Sequence, residues 1–306
     1  MTAEPILTAD DRACWESWMR AAREHSRTQA HKRLVERARR GVVEILDHLD
    51  AHPVETPAGC APKRPGVSVS GGKDSTVMAH LVCVTADCAS RVEIVSEKDD
   101  LDYPGEREHV EALAHLCSAP LTILTPPVSP REWIAEAAAR GELRSCDDVH
   151  SRAAGLSKAC FYGLMEADNA GRPLVFLGLR REESGVRTMV ANRALGARTR
   201  ARAAGIEWPE TGLSYWHKGG SQWRCLPVAE FAGIDVYAYA AAHDLELLQV
   251  YRCLGLMHRD KPWMIRKSWW IPGGHAADGQ IAWLRRYYPS LYRQLREWMP
   301  DAALLA

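Results

Sequence analysis

Between residues 66 and 245, short apolar runs alternate with stretches whose apolar positions recur at helical spacing. GVSVS (66–70) precedes a helix predicted over Val77 to Val84, RVEIVS (91–96) one near Glu106 to Leu116, and PLTILT (120–125) one near Pro130 to Arg140. PLVFLGL (173–179) and RCLPVAE (224–230) follow, the second ahead of a helix near Ile234 to His243. Strand and helix alternating at this period predict a parallel sheet covered on both faces. Ligands of such sheets sit at the carboxyl ends of the strands, so the residues just after each run hold the functional interest.

The flanks have a different rhythm. Over residues 9–50, Trp15, Trp18, Met19, Ala22, Leu34, Val35, Ala38, Val42, Ile45, Leu46 and Leu49 recur at helical spacing among mixed charges, and no chemistry is visible there. His52 to Pro65 holds four prolines and Gly59, and marks a boundary. Residues 255–306 contain Trp263, Trp269, Trp270, Trp283 and Trp298 and end in an amphipathic helix. The expected organisation is a helical N-terminal extension (1–62), an α/β domain (63–245) and a tryptophan-rich C-terminal cap (246–306).

Composition sets bounds on this picture. In 306 residues, 46% are apolar and 25% charged, as in ordinary globular chains, so neither disorder nor a fibrous repeat is expected. Thirty-nine basic and thirty-nine acidic side chains cancel, and affinity for nucleic acid must come from local patches. No stretch approaches the ~18 consecutive apolar residues of a membrane span. The N-terminus lacks a basic region followed by an apolar one, so a cytoplasmic location is expected. Nine cysteines occur without a CxxC pair or zinc-ligand spacing, and they read as reduced, mostly buried thiols.

The strongest motif is Ser70-Gly71-Gly72-Lys73-Asp74-Ser75, placed between the strand GVSVS and the helix TVMAHLV. Two glycines permit a sharp bend that exposes amide hydrogens, and the helix start adds partial positive charge. A phosphate chain suits that place. Ser70 and Ser75 offer hydroxyls and Lys73 a charge, while Asp74 either holds a divalent cation or fixes the loop. The plain alternative is a tight turn capped by Asp74 and Ser75. A second segment, Gly178-Leu179-Arg180-Arg181-Glu182-Glu183-Ser184-Gly185-Val186-Arg187, leaves the end of PLVFLGL with Arg180 and Arg187 about two turns apart and aimed at the same cleft. Seven arginines against two glutamates over residues 180–202 exceed what one nucleotide needs, although a solvated basic helix has the same composition.

SGGKDS after a first strand differs from the GxxxxGK[ST] Walker pattern and resembles the PP-loop of the ATP pyrophosphatase superfamily, within which G-x-R-x-x-x-S-x-x-R is similar to a segment of the phosphoadenosine phosphosulfate (PAPS) reductase family. Asp99 to Glu106, Pro227 to Tyr237 and Tyr251 to Gly255 give weaker support, so the resemblance spans roughly residues 63–300. It implies a five-stranded parallel doubly wound sheet carrying an adenine nucleotide, with ATP split between its α and β phosphates and AMP passed to an acceptor. Ser70, Gly71, Gly72, Lys73, Asp74, Ser75, Asp99, Gly178, Arg180, Ser184 and Arg187 would then bind nucleotide. Lys73, Asp74, Arg180 and Arg187 would stabilise charge in the reaction, and Asp74 with Asp100 would hold Mg²⁺.

Departures from the family pattern shape the rest. The reductases' C-terminal ECG-x-H cysteine has no counterpart, since no cysteine follows Cys253; Cys146 and Cys253 are weak substitutes. Arg266 to Trp270 stands where iron–sulfur relatives place cysteines, so no cluster is expected. Asp99 and Asp100 occupy a place near the ribose where a 3′-phosphate would be repelled, which favours ATP with Mg²⁺ over PAPS; a helix start decorated with acids is the plain alternative. Lys158 could neutralise a leaving pyrophosphate or be an ordinary surface lysine, and Cys160 and Cys225 read as core. The His258 to Trp270 run interleaves cations with indoles, as a nucleic-acid surface or a basic-rimmed lid would. The expected activity is adenylation of an acceptor in sulfur transfer or nucleic-acid modification. The alternatives are thiol-dependent PAPS or APS reduction and a non-catalytic nucleotide- or DNA-binding module. A homo-oligomer fits the sequence equally well.

Overall fold

In the computed structural model, residues 5–56, 58–143, 164–185, 187–190, 192, 211, 213–218, 222–255, 270 and 279–299 are described. Two helices open the chain, α1 (Ala9–Ser26) and α2 (Gln29–Ala51). The α/β region follows as β1 (Gly66–Ser68), α3 (Lys73–His80), β2 (Glu93–Glu97), α4 (Glu106–Cys117), β3 (Leu121–Leu124), α5 (Pro130–Ala139) and β4 (Leu174–Leu177). A hairpin of β5 (Ser214–Lys218) and β6 (Gln222–Leu226) comes next, then α6 (Gly233–Ala242), α7 (Gln280–Tyr287) and α8 (Pro289–Trp298).

The sheet order is β3-β2-β1-β4-β6-β5. Neighbours from β3 through β6 run parallel, with Val67 opposite both Ile94 and Phe176, while β5 runs antiparallel to β6. The expected α/β sheet is therefore present, with six strands where five were expected. The extra strand comes from SYWHK and QWRCL joined through Gly219-Gly220-Ser221, a hairpin signal that the reading by strand–helix alternation passes over. Central strands are buried on both faces: Val67, Ile94, Phe176 and Cys225 on one, and Val95, Val175 and Leu226 on the other, are all buried.

From β1 the chain steps outward through β2 to β3, then returns to lay β4 on the other side of β1. This reversal is the topological switch point, where a crevice opens at the carboxyl ends of β1 and β4. Every residue of α3 is buried, so the helix leaving β1 is a core element and its first residues are held rigidly. A five-residue π turn, Leu81–Thr85, extends it.

The N-terminal helices join the same core. Trp15 and Trp18 meet Tyr237 of α6 edge to face, at 5.8 and 5.7 Å between ring centroids, and Val42, Ile45 and Leu46 of α2 are fully buried. Thr8 caps α1 in a reciprocal capping box with Asp11, whose other oxygen accepts from Tyr287 Oη at 2.8 Å. Burial raises the Asp11 carboxyl, but hydrogen bonds from Thr8 and Tyr287 outweigh it and hold the group below the usual carboxylate range. The last residues of the described chain are thereby fastened to the first. Trp270, from the C-terminal indole run, is fully buried and stacks on Trp298 at 5.4 Å, so it is a core side chain; Trp263 and Trp269 lie outside the described residues.

Candidate phosphate-binding site

The bend after β1 is built as its glycines require. Gly71 sits at φ +82°, and a Cβ there would also lie 2.8 Å from Glu106 Cγ. Gly72 is the N-cap of α3, and a Cβ on it would project between Ser70 Oγ and Tyr251 Oη, 3.3 Å from each. Across the switch point, a Cβ on Gly178 would come within 2.7 Å of Ser75 Cα and 2.8 Å of Ser75 N. Gly178 is thus what allows the end of β4 to rest directly on the first turn of α3. Its place in the motif is steric.

Hydroxyls and cations converge on the bend. Ser70 and Ser75 oxygens lie 3.2 Å apart, and Ser75 Oγ donates to Gly72 O at 3.0 Å. Lys73 Nζ, 2% exposed, donates to Asp74 Oδ2 at 3.0 Å, while Arg180 Nε, equally buried, donates to Asp74 Oδ1 at 2.6 Å. One carboxylate therefore serves two buried cations. Burial pulls the Lys73 ammonium below its ordinary pKa and the Arg180 charge adds to that, with Asp74 opposing both. Arg180 also donates to Glu182 at 2.8 Å and to Phe231 O at 3.3 Å. Arg187 pairs with Glu183 at the mouth of the cleft, and Ser184 Oγ accepts from the Arg187 amide at 3.2 Å.

Beside this cluster lies a solvent-open cleft of about 190 Å³, with Ser70, Gly72, Lys73, Asp74, Gly178 and Arg187 among its walls. Three residues that the sequence reading left out of the site complete it. Tyr251 Oη accepts the Lys73 amide hydrogen at 3.0 Å and its ring lies 5.4 Å from Lys73 Nζ. Lys98, 4% exposed, donates to Ser70 O at 3.1 Å and to Glu106 at 2.5 Å, so it locks the bend from behind. The tyrosine had a signal in Tyr251-x-x-Leu254-Gly255; Lys98 and Glu106 had none, because their roles arise only when β2 and α4 pack on the loop.

Two expectations are corrected. Asp100 does not stand with Asp74: its carboxylate takes hydrogen bonds from Ser129 Oγ and, at 3.0 Å, from Arg131 N, so it braces the start of α5. Both Asp74 oxygens already face cations. The Asp74–Asp100 pair therefore does not fit a Mg²⁺ site. Asp99 does not line the cleft; its carboxylate accepts from Leu101 N at 2.8 Å within its own turn, and burial, then Asp102, pushes it up to about 7. Asp99 closes its own turn and Asp100 braces α5, so neither caps the helix start at Glu106 that the plainer alternative supposed.

Cys225 and Cys253 are fully buried and burial pushes both thiols up, the opposite of what a nucleophilic thiolate needs. Cys146, Lys158, Cys160, the arginines from 193 to 202 and His258 to Trp269 lie outside the described residues. Among the described residues, no helix is long and apolar enough to cross a membrane.

Fold and site together define an α/β protein with a crevice, bordered by buried cations, at the switch point of a mainly parallel sheet. No protein-family model matches the chain, and no curated protein matches it. Solved structures do. A PAPS reductase from Candida auris in a phosphate complex is 15% identical over 67% of this chain and 88% of its own, with a TM-score of 0.39. An NH3-dependent NAD synthetase from Campylobacter jejuni is 13% identical over 91% and 96%, at 0.40. The U34-tRNA thiolase of Methanococcus maripaludis, which carries a [4Fe-4S] cluster, is 12% identical over 90% and 80%, at 0.41. All three are PP-loop superfamily proteins. At these scores the likenesses are distant, and they fix neither the ligand nor the reaction of this chain.

Proposed function

We propose that the chain is a PP-loop enzyme that binds ATP in the switch-point cleft and transfers its adenylyl group to an acceptor. The single observation that carries this reading is the convergence of the SGGKDS bend, the buried Lys73–Asp74–Arg180 cluster and the close-packed Gly178 on one crevice. An adenine nucleotide enters with its β and γ phosphates on the bend, met by backbone N–H groups at the start of α3 and by the Ser70 and Ser75 hydroxyls. Lys73 and Arg180 are held in place before the ligand arrives, so little reorganisation accompanies charge development. Arg187, at the rim, exchanges its Glu183 partner for phosphate oxygen.

In the transfer step a nucleophilic atom of the acceptor forms a bond to Pα, and the bond from Pα to the bridging oxygen of the β phosphate breaks. Pyrophosphate leaves with that electron pair, its charge matched by Lys73 and Arg180, and the acceptor's proton passes to solvent. Acceptor chemistry in sulfur transfer or nucleic-acid modification accords with the resemblance of the motifs. Incubation with ATP labelled at the α phosphate, across candidate acceptors, tests the reading: labelled AMP or AMP-acceptor with pyrophosphate is expected, and labelled ADP overturns it.

A further inference from the structure

We propose that His25, His31 and Asp235 form a binding site for a divalent transition-metal ion of the zinc class, which clamps the two N-terminal helices onto α6. Three elements deliver the donors. His25 lies in the last turn of α1, His31 in the first turn of α2 and Asp235 in the first turn of α6. Their ligand atoms all lie within 4.8 Å of one another, and among the described residues this is the one such grouping. His25 Nε2 stands 2.8 Å, and His31 Nδ1 2.9 Å, from the same Asp235 oxygen, Oδ1.

Capping accounts for only half of this arrangement. Asp235 Oδ2 accepts the Ala232 amide hydrogen at 2.9 Å, which is what a residue in the first turn of a helix does; it leaves unexplained why two imidazoles converge on Oδ1. A tetrahedral ion with ligand bonds of about 2.0–2.2 Å keeps its donors roughly 3.4 Å apart, so each nitrogen needs to draw back from Oδ1 by about half an ångström, and the two nitrogens already lie within 4.8 Å of each other. Two imidazole nitrogens and one carboxylate oxygen suit zinc, cobalt or nickel and disfavour magnesium and calcium, which prefer all-oxygen shells. The Ala232 bond orients the carboxylate as an outer partner does in a metal centre.

Burial is graded as a site with an entrance requires. The His31 side chain is 4% exposed and Asp235 12%, whereas His25 is 33% exposed, giving the ion a route in and water a fourth position. On uptake a neutral imidazole moves its proton to its other ring nitrogen, and an imidazolium releases one to solvent. The braced segment touches the arginine segment beside the cleft: Phe231 O accepts from Arg180, and Gly233 N donates to Glu182 at 2.6 Å. The ion would thus stiffen the wall against which Arg180 rests.

The test uses the full chain without a histidine tag, stripped by chelator dialysis and titrated with Co²⁺, then Zn²⁺. One equivalent of Co²⁺ is expected, with visible bands free of thiolate charge transfer, displaced by Zn²⁺ and untouched by excess Mg²⁺, and accompanied by a rise in Tm. His25→Gln, at the exposed member, should keep the native circular dichroism and bind that equivalent at least tenfold more weakly. Three results would each overturn the site: no such equivalent in the wild type, undiminished binding in both His25→Gln and His31→Gln, or spectra showing thiolate ligation.

Discussion

Strand β4 has a buried arginine at each end, and the two are handled differently. Before the strand, Arg172 is 1% exposed and is gripped by Asp168 at 2.8 and 3.3 Å and by Glu93 at 2.9 Å, while Lys63 closes on Asp168 at 2.6 Å. Two cations face two carboxylates, and a backbone carbonyl, Arg64 O, accepts at 2.9 Å. After the strand, Arg180 and Lys73 share Asp74 beside an open cleft, and Arg180's second carboxylate, Glu182, is half exposed to solvent. A buried arginine is therefore no mark of a binding site by itself. Both ends share a carboxylate between two cations; what distinguishes the working end is that Asp74 stands on an open cleft, with room for a further anion, whereas Asp168 does not line it.

The largest expected effects come from removing the two aspartates. Asp168→Ala and Asp74→Ala each leave buried cations short of a partner and should cost about 3–5 kcal/mol in urea unfolding. Pyrophosphate should separate them, raising the Tm of Asp74→Ala by more than it raises that of the wild type and returning nothing to Asp168→Ala. Equal responses would erase the distinction between the two ends. Next, Gly178→Ala forces a methyl into the backbone of Ser75, and a loss of about 1–3 kcal/mol is expected. Calorimetry should show ATP affinity reduced at least tenfold as well.

A smaller change sharpens the account of the loop. Tyr251→Phe removes the acceptor of the Lys73 amide and should lower stability by about 1–2 kcal/mol. Because that amide is then released from the tyrosine, pyrophosphate affinity should hold or rise; a clear fall would make Tyr251 a ligand contact instead. A last effect is in pH dependence. Burial pushes Glu97 from 4.5 and Asp99 from 3.8 up to about 7, so each carboxyl keeps its proton longer folded than unfolded. The unfolded chain binds fewer protons in that window, and stability should fall as pH rises from about 4 to 7. Glu97→Gln and Asp99→Asn should each flatten the slope of the urea midpoint against pH, and an unchanged slope would refute the assignment.

Much of the sheet was legible because its strands are short apolar runs with helical spacing between them, and the SGGKDS bend because glycines and a helix start leave a local signature. Pairings across the chain leave none. Arg180 meets Asp74 106 residues away, and Tyr251 reaches Lys73 over 178. Position in a motif misled at Asp100, where a helix cap and a metal ligand call for the same side chain and only the neighbour, Ser129, decides. The N-terminal helices gave no chemical signal in sequence because His25 and His31 acquire meaning only when α6 brings Asp235 between them.

The claim that the bend after β1 grips a polyphosphate is tested most directly by calorimetric titration of ATP into the wild type and Gly72→Val. Gly72 sits at φ −70°, so valine is tolerated by the backbone, yet its side chain would project between Ser70 and Tyr251 into the cleft. The account predicts saturable binding to the wild type and a loss of at least tenfold in the variant with folding intact. Undiminished ATP affinity in Gly72→Val would contradict it.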